Sequence, residues 1–172
     1  MTIPSCAGPY ATLPAGRHKA TFAEIYERFV VQAPFRERRE LIFRAVELHA
    51  DIVRTRFTDA RIWLDGGFTT HKTWAEPEDA DVVVVVPEVQ YLEYTKAQDE
   101  SLLPLITLRD VSATRPPSRT GKLHPMGGLM DVFVQPDADA PLAVWDTLWS
   151  SVKNQFGEVV PGVTKGYLEV EL

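Results

Sequence analysis

Three aspartates in this chain stand where a charged side chain needs a reason. Asp79 and Asp81 are two residues apart at the entrance to the run Asp81 to Val86 (DVVVVV), and Asp131 sits between Met130 and Val132 in Leu129 to Gln135 (LMDVFVQ). In extended backbone, residues two apart point to the same face. Two carboxylates a few ångströms apart repel unless a cation lies between them or one holds a proton. Hard oxygen ligands of this kind suit Mg²⁺ or Mn²⁺. If the Asp131 strand neighbours the valine strand, all three carboxylates converge; if not, a strand-end salt bridge to an arginine accounts for Asp131. Upstream, Leu64-Asp65 runs into Gly66-Gly67. Glycines allow positive φ and close backbone approach, so amides there can face a phosphate. Asp65 can be satisfied by a loop amide and needs no catalytic role.

The elements that must position these residues are legible from periodicity. Arg61 to Asp65 (RIWLD) and Leu129 to Gln135 read as strands. The valine run is too short for a buried helix and fits a central strand covered on both faces. Tyr167 to Leu172 (YLEVEL) alternates strictly and reads as a terminal strand that could lie at a sheet edge, with Glu169 and Glu171 discouraging edge pairing. Thr21-Phe-Ala-Glu24 is a capping box opening a short helix to about Val31. Pro34 is expected at the first position of a longer helix to about Phe57, with Leu41, Ala45, Leu48, Ile52 and Val53 on its apolar face. Helices are also expected over Val89 to about Leu103 and over Pro141 to Phe156. The second of these has Leu142, Trp145, Leu148, Trp149 and Val152 inward and Gly157 as C-cap. Residues 1–16 read as an extended arm and 17–172 as one domain. The order implies an α+β (or α/β-type) fold with a mixed sheet flanked by helices.

Composition narrows the function classes. At 172 residues a single core can bury roughly 70% of the unfolded surface. Eighteen basic against 24 acidic residues, a formal charge of −6, argue against a broad basic nucleic-acid surface, and no reading of DNA sequence is expected. The single cysteine, Cys6, forms no intramolecular disulfide and is taken as a spectator thiol. Met1 to Gly8 lacks the basic and apolar regions of a signal peptide, and no apolar run approaches a membrane span. A cytoplasmic protein is the expectation.

The Gly66-Gly67 turn, the Asp79-Ala-Asp81 pair and the later Asp131 together resemble the DNA-polymerase-β-like nucleotidyltransferase superfamily. Leu13-Pro-Ala-Gly-Arg-His18, Ala20-Thr21, Leu64-Asp-Gly-Gly-Phe-Thr-Thr70 and Lys165-Gly166 look like a small prokaryotic branch of it, from about residue 13 to the end. Members of that branch usually carry serine where this chain has Gly67, so a hydroxyl toward the phosphates is missing here. The resemblance implies a nucleotidyltransferase-like sheet and an NTP substrate. Asp79 and Asp81 would bind the metal that holds the triphosphate, and Asp131 would help bind a second metal and activate the attacking hydroxyl. Gly66 and Gly67 would present amides to the phosphates, with Thr69 and Thr70 beside them and Lys72 adding a point charge. The acceptor would be a hydroxyl on a protein, an RNA or a small molecule, with a partner protein completing the site, possible settings being a toxin–antitoxin or defence module. The alternatives are a catalytically weak or inactive nucleotide- or partner-binding module, and a phosphohydrolase using the same metals.

Other polar residues carry weaker signals. His18 either positions something near the site or caps the surface; His71 and His124 read as solvated loop residues; no histidine pair has zinc-ligand spacing. Arg109, Arg115, Arg119 and Lys122 lie in a long Pro/Gly/Ser-rich stretch, 109–128, that could clamp a nucleotide or an RNA end or simply be solvated. The helix with Arg36, Arg38, Arg39 and Arg44 also carries Glu37, Glu40 and Glu47, a mixed pattern read as a solvated face.

Overall fold

The computed structural model describes residues 3–97, 100–107 and 124–172. Residues 3–15 place Ile3 and Leu13 in the core, with a tight turn closed by reciprocal backbone bonds between Ala7 and Thr12. Strand β1 (Gly16–Lys19) follows. The capping box then opens α1 (Phe22–Tyr26): the Thr21 hydroxyl accepts from the Glu24 amide at 3.2 Å, and the Glu24 carboxylate accepts from the Thr21 amide at 2.9 Å. A π turn (Glu27–Val31) continues it to the expected end.

The long helix α2 (Arg36–Arg54) starts later than expected, and Pro34 is not its first residue. Phe35 takes a left-handed conformation (φ 61°), and the Pro34 carbonyl is occupied by the Arg39 side chain. The buried residues of α2 are Arg39, Ile42, Phe43, Ala45, Val46, His49, Ala50 and Val53, so Ala45 and Val53 are inside as expected. Leu41 and Leu48, expected inside, are about half exposed, at 53% and 54%.

Then come β2 (Arg61–Asp65), a 3₁₀ turn over Gly67–Thr69, β3 (Ala80–Val86), α3 (Glu88–Ala97), a 3₁₀ turn over Pro125–Gly128 and β4 (Met130–Pro136). Helix α4 (Asp139–Trp149) ends before the expected Phe156. Val152 belongs instead to β5 (Ser151–Lys153), which pairs with β6 (Val159–Thr164) in a hairpin. Gly157 (φ 80°) is in that hairpin's turn, where the Asn154 side chain accepts the amides of Phe156 and Glu158. The signal read as a helix cap is a turn signal.

Strand β7 (Gly166–Glu171) closes the chain. The main sheet has the order β1-β7-β2-β3-β4, with β1–β7 and β3–β4 parallel and β7–β2 and β2–β3 antiparallel. The fold is therefore α+β with a mixed five-stranded sheet. Strand β7 is interior, not an edge, because β1 covers its outer side. Its Glu169 is buried, accepting from Trp63 Nε1 at 2.8 Å and from Arg61 Nε at 3.1 Å.

Alternation splits the strands between two cores. Ile62, Leu64, Val82, Val84, Met130, Val132, Leu168 and Val170 meet α1, α2 and the π turn. Trp63, Val83, Val85 and Tyr167 face α4 through Leu142 and Trp149. No helix among the described residues is long and apolar enough to cross a membrane. The basic residues at 109, 115, 119 and 122 lie outside the described residues.

Candidate functional site

The three strands that carry aspartates are adjacent, and their register aligns them. Asp65 pairs with Asp81 across β2–β3, and Asp81 pairs with Asp131 across β3–β4. Directly paired residues project to the same side, with strands about 4.8 Å apart. The carboxylates thus form a row across three strands, on the α4 side of the sheet. Strand β3 is entered at Ala80, so Asp79 stands one step before it, half-buried, and its charge acts on Asp81.

Each member of the row is held differently. Asp65 receives the Lys165 ammonium on both oxygens and the Thr69 hydroxyl at 3.3 Å, with the Gly66 amide adding the loop bond foreseen from sequence. Asp131 is 6% exposed; His124 Nδ1 lies 2.8 Å from it, and the Thr107 hydroxyl donates to it at 3.4 Å. His124 is accordingly a half-buried partner of the row rather than a solvated loop residue. Asp81, in the middle, is raised from the ordinary 3.8 to about 7, first by burial and then by the charges of Asp65, Asp79 and Asp131, with Lys165 opposing. A carboxylate whose neighbours are mostly carboxylates lacks positive charge.

That makes Asp81 a pH-dependent element. Its folded value lies above its unfolded one, so its contribution to stability is full below about pH 4 and is lost as pH rises through about 7. His49 and His71, lowered chiefly by burial, act in the opposite sense near neutrality. Comparison with Asp81→Asn cancels them. In EDTA, wild-type Tm is expected to fall relative to Asp81→Asn between pH 5 and pH 8.5, and Mg²⁺ or Mn²⁺ is expected to restore it at the alkaline end only. A Tm difference flat across that range removes the carboxylate repulsion from the account.

The glycine turn abuts the row. Gly66 adopts φ 86°, ψ −162°, a conformation side chains disfavour, and a Cβ there would stand 3.2 Å from Asp81 Cγ and 3.3 Å from the Asp81 amide nitrogen. At Gly67 a Cβ would lie 3.2 Å from Lys72 Nζ, so Lys72 occupies the neighbourhood a serine hydroxyl would reach. Burial lowers the Lys72 ammonium first and Arg39 adds to that, while Glu78 and Asp79 oppose. Thr70 donates to the Gly67 carbonyl at 2.9 Å. The Thr69 hydroxyl is turned inward to Asp65 and the Gly66 carbonyl.

Two arginines of α2 hold the segment between the turn and Asp79. Arg39, fully buried, donates to the carbonyls of Phe68 (2.6 Å), Thr70 (2.7 Å), Pro34 (2.6 Å) and Phe29 (3.3 Å). Arg38 donates to the carbonyls of Pro77 and Glu78, just before Asp79. Neither belongs to a solvated face as the charge pattern suggested. His71 is likewise not a solvated loop residue: its Nε2 lies 2.8 Å from the Arg28 carbonyl and its ring meets Phe29 edge-on. His18 Nε2 lies 2.8 Å from the Pro14 carbonyl and packs beside Gly166, where a Cβ would collide with it. It shapes the entry to β7.

Asp65, Asp81, Asp131, Gly66, Gly67, Thr70, Lys72 and Lys165 line one side of a cavity of about 480 Å³, a size suited to a small ligand. Asp79 and Thr69 are not among its lining residues. Among the described residues, no three His, Cys, Asp or Glu side chains are set in a geometry that closes round a metal ion. The donor chemistry nevertheless fits a hard divalent cation: oxygen ligands in register, a central carboxylate short of positive charge, and a cavity in front of them. Of the residues that complete this site, sequence reasoning left the roles of Lys165, Arg39 and His124 unassigned or misplaced. Only the Lys165-Gly166 pair carried a signal.

No curated protein and no solved structure matches the chain. A family model does match, over residues 7–171, nearly the whole length. The chain belongs to that family, a family of unknown function (DUF6932).

Proposed function

We propose that this protein is a Mg²⁺- or Mn²⁺-dependent nucleotidyltransferase, moving a nucleoside monophosphate from an NTP to a hydroxyl on a protein, RNA or small-molecule acceptor. The observation that supports it most is the register of Asp81 and Asp131 on parallel neighbours, beside the Gly66-Gly67 turn. Divalent cations, when bound, neutralise the triphosphate and help to ionise the attacking hydroxyl. Asp79 and Asp81 would hold the cation that carries the triphosphate, and Asp81 and Asp131 the one beside the acceptor. The Gly66 and Gly67 amides and Lys72 would receive the β- and γ-phosphates, Lys72 standing in for the hydroxyl that Gly67 lacks. Lys165 keeps Asp65 neutralised, so the row does not accumulate a further unpaired charge. The acceptor oxygen attacks the α-phosphorus, its proton leaves toward Asp131, and the bond from the α-phosphorus to the bridging oxygen breaks to release pyrophosphate. Little covalent help is needed; alignment and charge neutralisation carry the reaction. The reading carries a cytoplasmic setting, where Mg²⁺ and NTPs are abundant.

Calorimetry with Mg²⁺ and each of ATP, GTP, CTP and UTP is expected to detect binding in the wild type and none in Asp79→Ala/Asp81→Ala. α-Labelled NTP with cell lysate is then expected to leave label on an acceptor. Absence of metal-dependent NTP binding to the wild type would sink the proposal. A second reading, a nucleotide- or partner-binding module without turnover, draws support from Asp65 and Asp131 already being held by Lys165 and His124. Binding without transfer favours it, and release of phosphate without transfer favours a phosphohydrolase.

A further inference from the structure

The carboxylates, Lys72 and Lys165 make up only part of the cavity's lining. Aromatic side chains supply much of the rest: Tyr10 and Trp74 outside the strands and helices, Phe133 from β4, and Trp145 and Trp149, with Leu148, from α4. The α4 residues are spaced i, i+3, i+4 and therefore share one face of the helix. They are not equivalent. Trp149 is 6% exposed and packs edge-on against Tyr167 at 5.7 Å, as a core residue. Trp145 is only half-buried, yet it is braced from two sides: its ring lies 4.8 Å from Phe133, tilted by 40°, and 5.7 Å from Trp149, edge-on. An indole fixed by its neighbours and still lining open volume has lost its rotamer freedom in advance, so stacking on it costs little ordering. Ser151 and Lys153, on β5, add polar groups to the lining.

A single cavity lined both by cationic and carboxylate groups and by a braced aromatic ring suits a ligand that is polyanionic in one part and planar in another. We infer that Trp145 is the platform on which the base of the NTP stacks while its phosphates lie toward Lys72 and the glycine turn. This rests on the nucleotidyltransferase reading and adds to it the seat of the base. Stacking is tolerant of base identity, because every base presents a π-face. Affinity among the four NTPs is therefore expected to differ by less than about tenfold, while loss of the ring altogether costs about tenfold or more.

The test compares Mg²⁺-ATP with Mg²⁺-tripolyphosphate, which has the phosphates and no ring, on the wild type and on Trp145→Leu, which keeps an apolar side chain against Phe133. The expected result is that the wild type binds ATP at least about tenfold more tightly than tripolyphosphate. Trp145→Leu should lose that advantage while its tripolyphosphate affinity stays unchanged. ATP should also quench a component of the tryptophan emission that tripolyphosphate leaves alone and that the variant lacks. Equal wild-type affinities for the two ligands, or an equal loss of both in Trp145→Leu, overturn the stacking role and leave the phosphate and metal site standing. Failure of the wild type to bind either ligand overturns both readings together. Ligand-free Tm of Trp145→Leu close to the wild type certifies that the comparison is made on a folded protein.

Discussion

Asp131→Asn is expected to lower label transfer by about a hundredfold to a thousandfold, the usual loss when one preorganised charge is taken from a transition state. The amide has nearly the shape of the carboxylate and can still accept from His124 and Thr107, so the strand and its hydrogen bonds persist. What disappears is the negative charge that, in the proposed reaction, would help hold a cation and take the acceptor's proton. NTP binding should fall much less than transfer, because the triphosphate is assigned to Asp79, Asp81 and Lys72. A second consequence follows from the charge row. Asp131 is one of the groups that push Asp81 upward, so in EDTA the pH at which Asp81 loses its proton should drop below the wild-type value of about 7. Transfer at near wild-type rate by a folded Asp131→Asn protein would reduce Asp131 to a structural partner of His124.

The second large effect concerns a residue that the proposed reaction assigns to neither metal nor nucleotide. Arg39→Met is expected to destabilise the fold by roughly 3 kcal/mol or more, since several buried carbonyls lose their donor at about 1–3 kcal/mol each. Burial lowers the guanidinium to about 10, so it stays charged at neutral pH and its hydrogen bonds are charge-assisted. The carbonyls of Phe68 and Thr70 flank Thr69 within the glycine turn, so the loss should also loosen Gly66 and Gly67 and weaken NTP binding. Arg39→Lys should recover only part of the stability, because an ammonium cannot reproduce the planar fork that spans three chain segments. Urea unfolding of the three proteins measures this; a drop below about 1 kcal/mol for Arg39→Met would mean that the turn is held by something else.

The strands were legible because their signals are local. RIWLD and LMDVFVQ announce themselves as short apolar runs and the valine run by its β-branched content, and the structure pairs the first and the last on either side of the valine strand. The apolar face of α2 was right at Ala45 and Val53 and wrong at Leu41 and Leu48, because Arg39 was read as solvated and His49 was not weighed. With both counted as inside, 39, 42, 43, 46, 49, 50 and 53 form a regular helical face, with Ala45 buried at its margin. Charge sets the expectation of exposure, yet a satisfied arginine can be interior. β1, β5 and β6 gave no comparable signal: β1 and β5 are short, and β6 is interrupted by Pro161-Gly162. Their pairing decides what they are. Ser150 and Ser151 leave the helical path because Thr164 and Lys165 offer backbone partners there.

By itself the sequence determined the residue types at the ends of three strands, the break between two of them, and the capping of the first helix, since each depends on neighbours within a few positions. Tertiary structure alone decided that Asp65, Asp81 and Asp131 fall in one row, because register is a property of hydrogen-bonded ladders between distant segments. It also brought Lys165 to Asp65 across 100 residues of chain, and turned Arg39 inward to the glycine turn. Contacts of that kind leave no periodic trace, because the two partners are joined only when the whole sheet and its helices close around them.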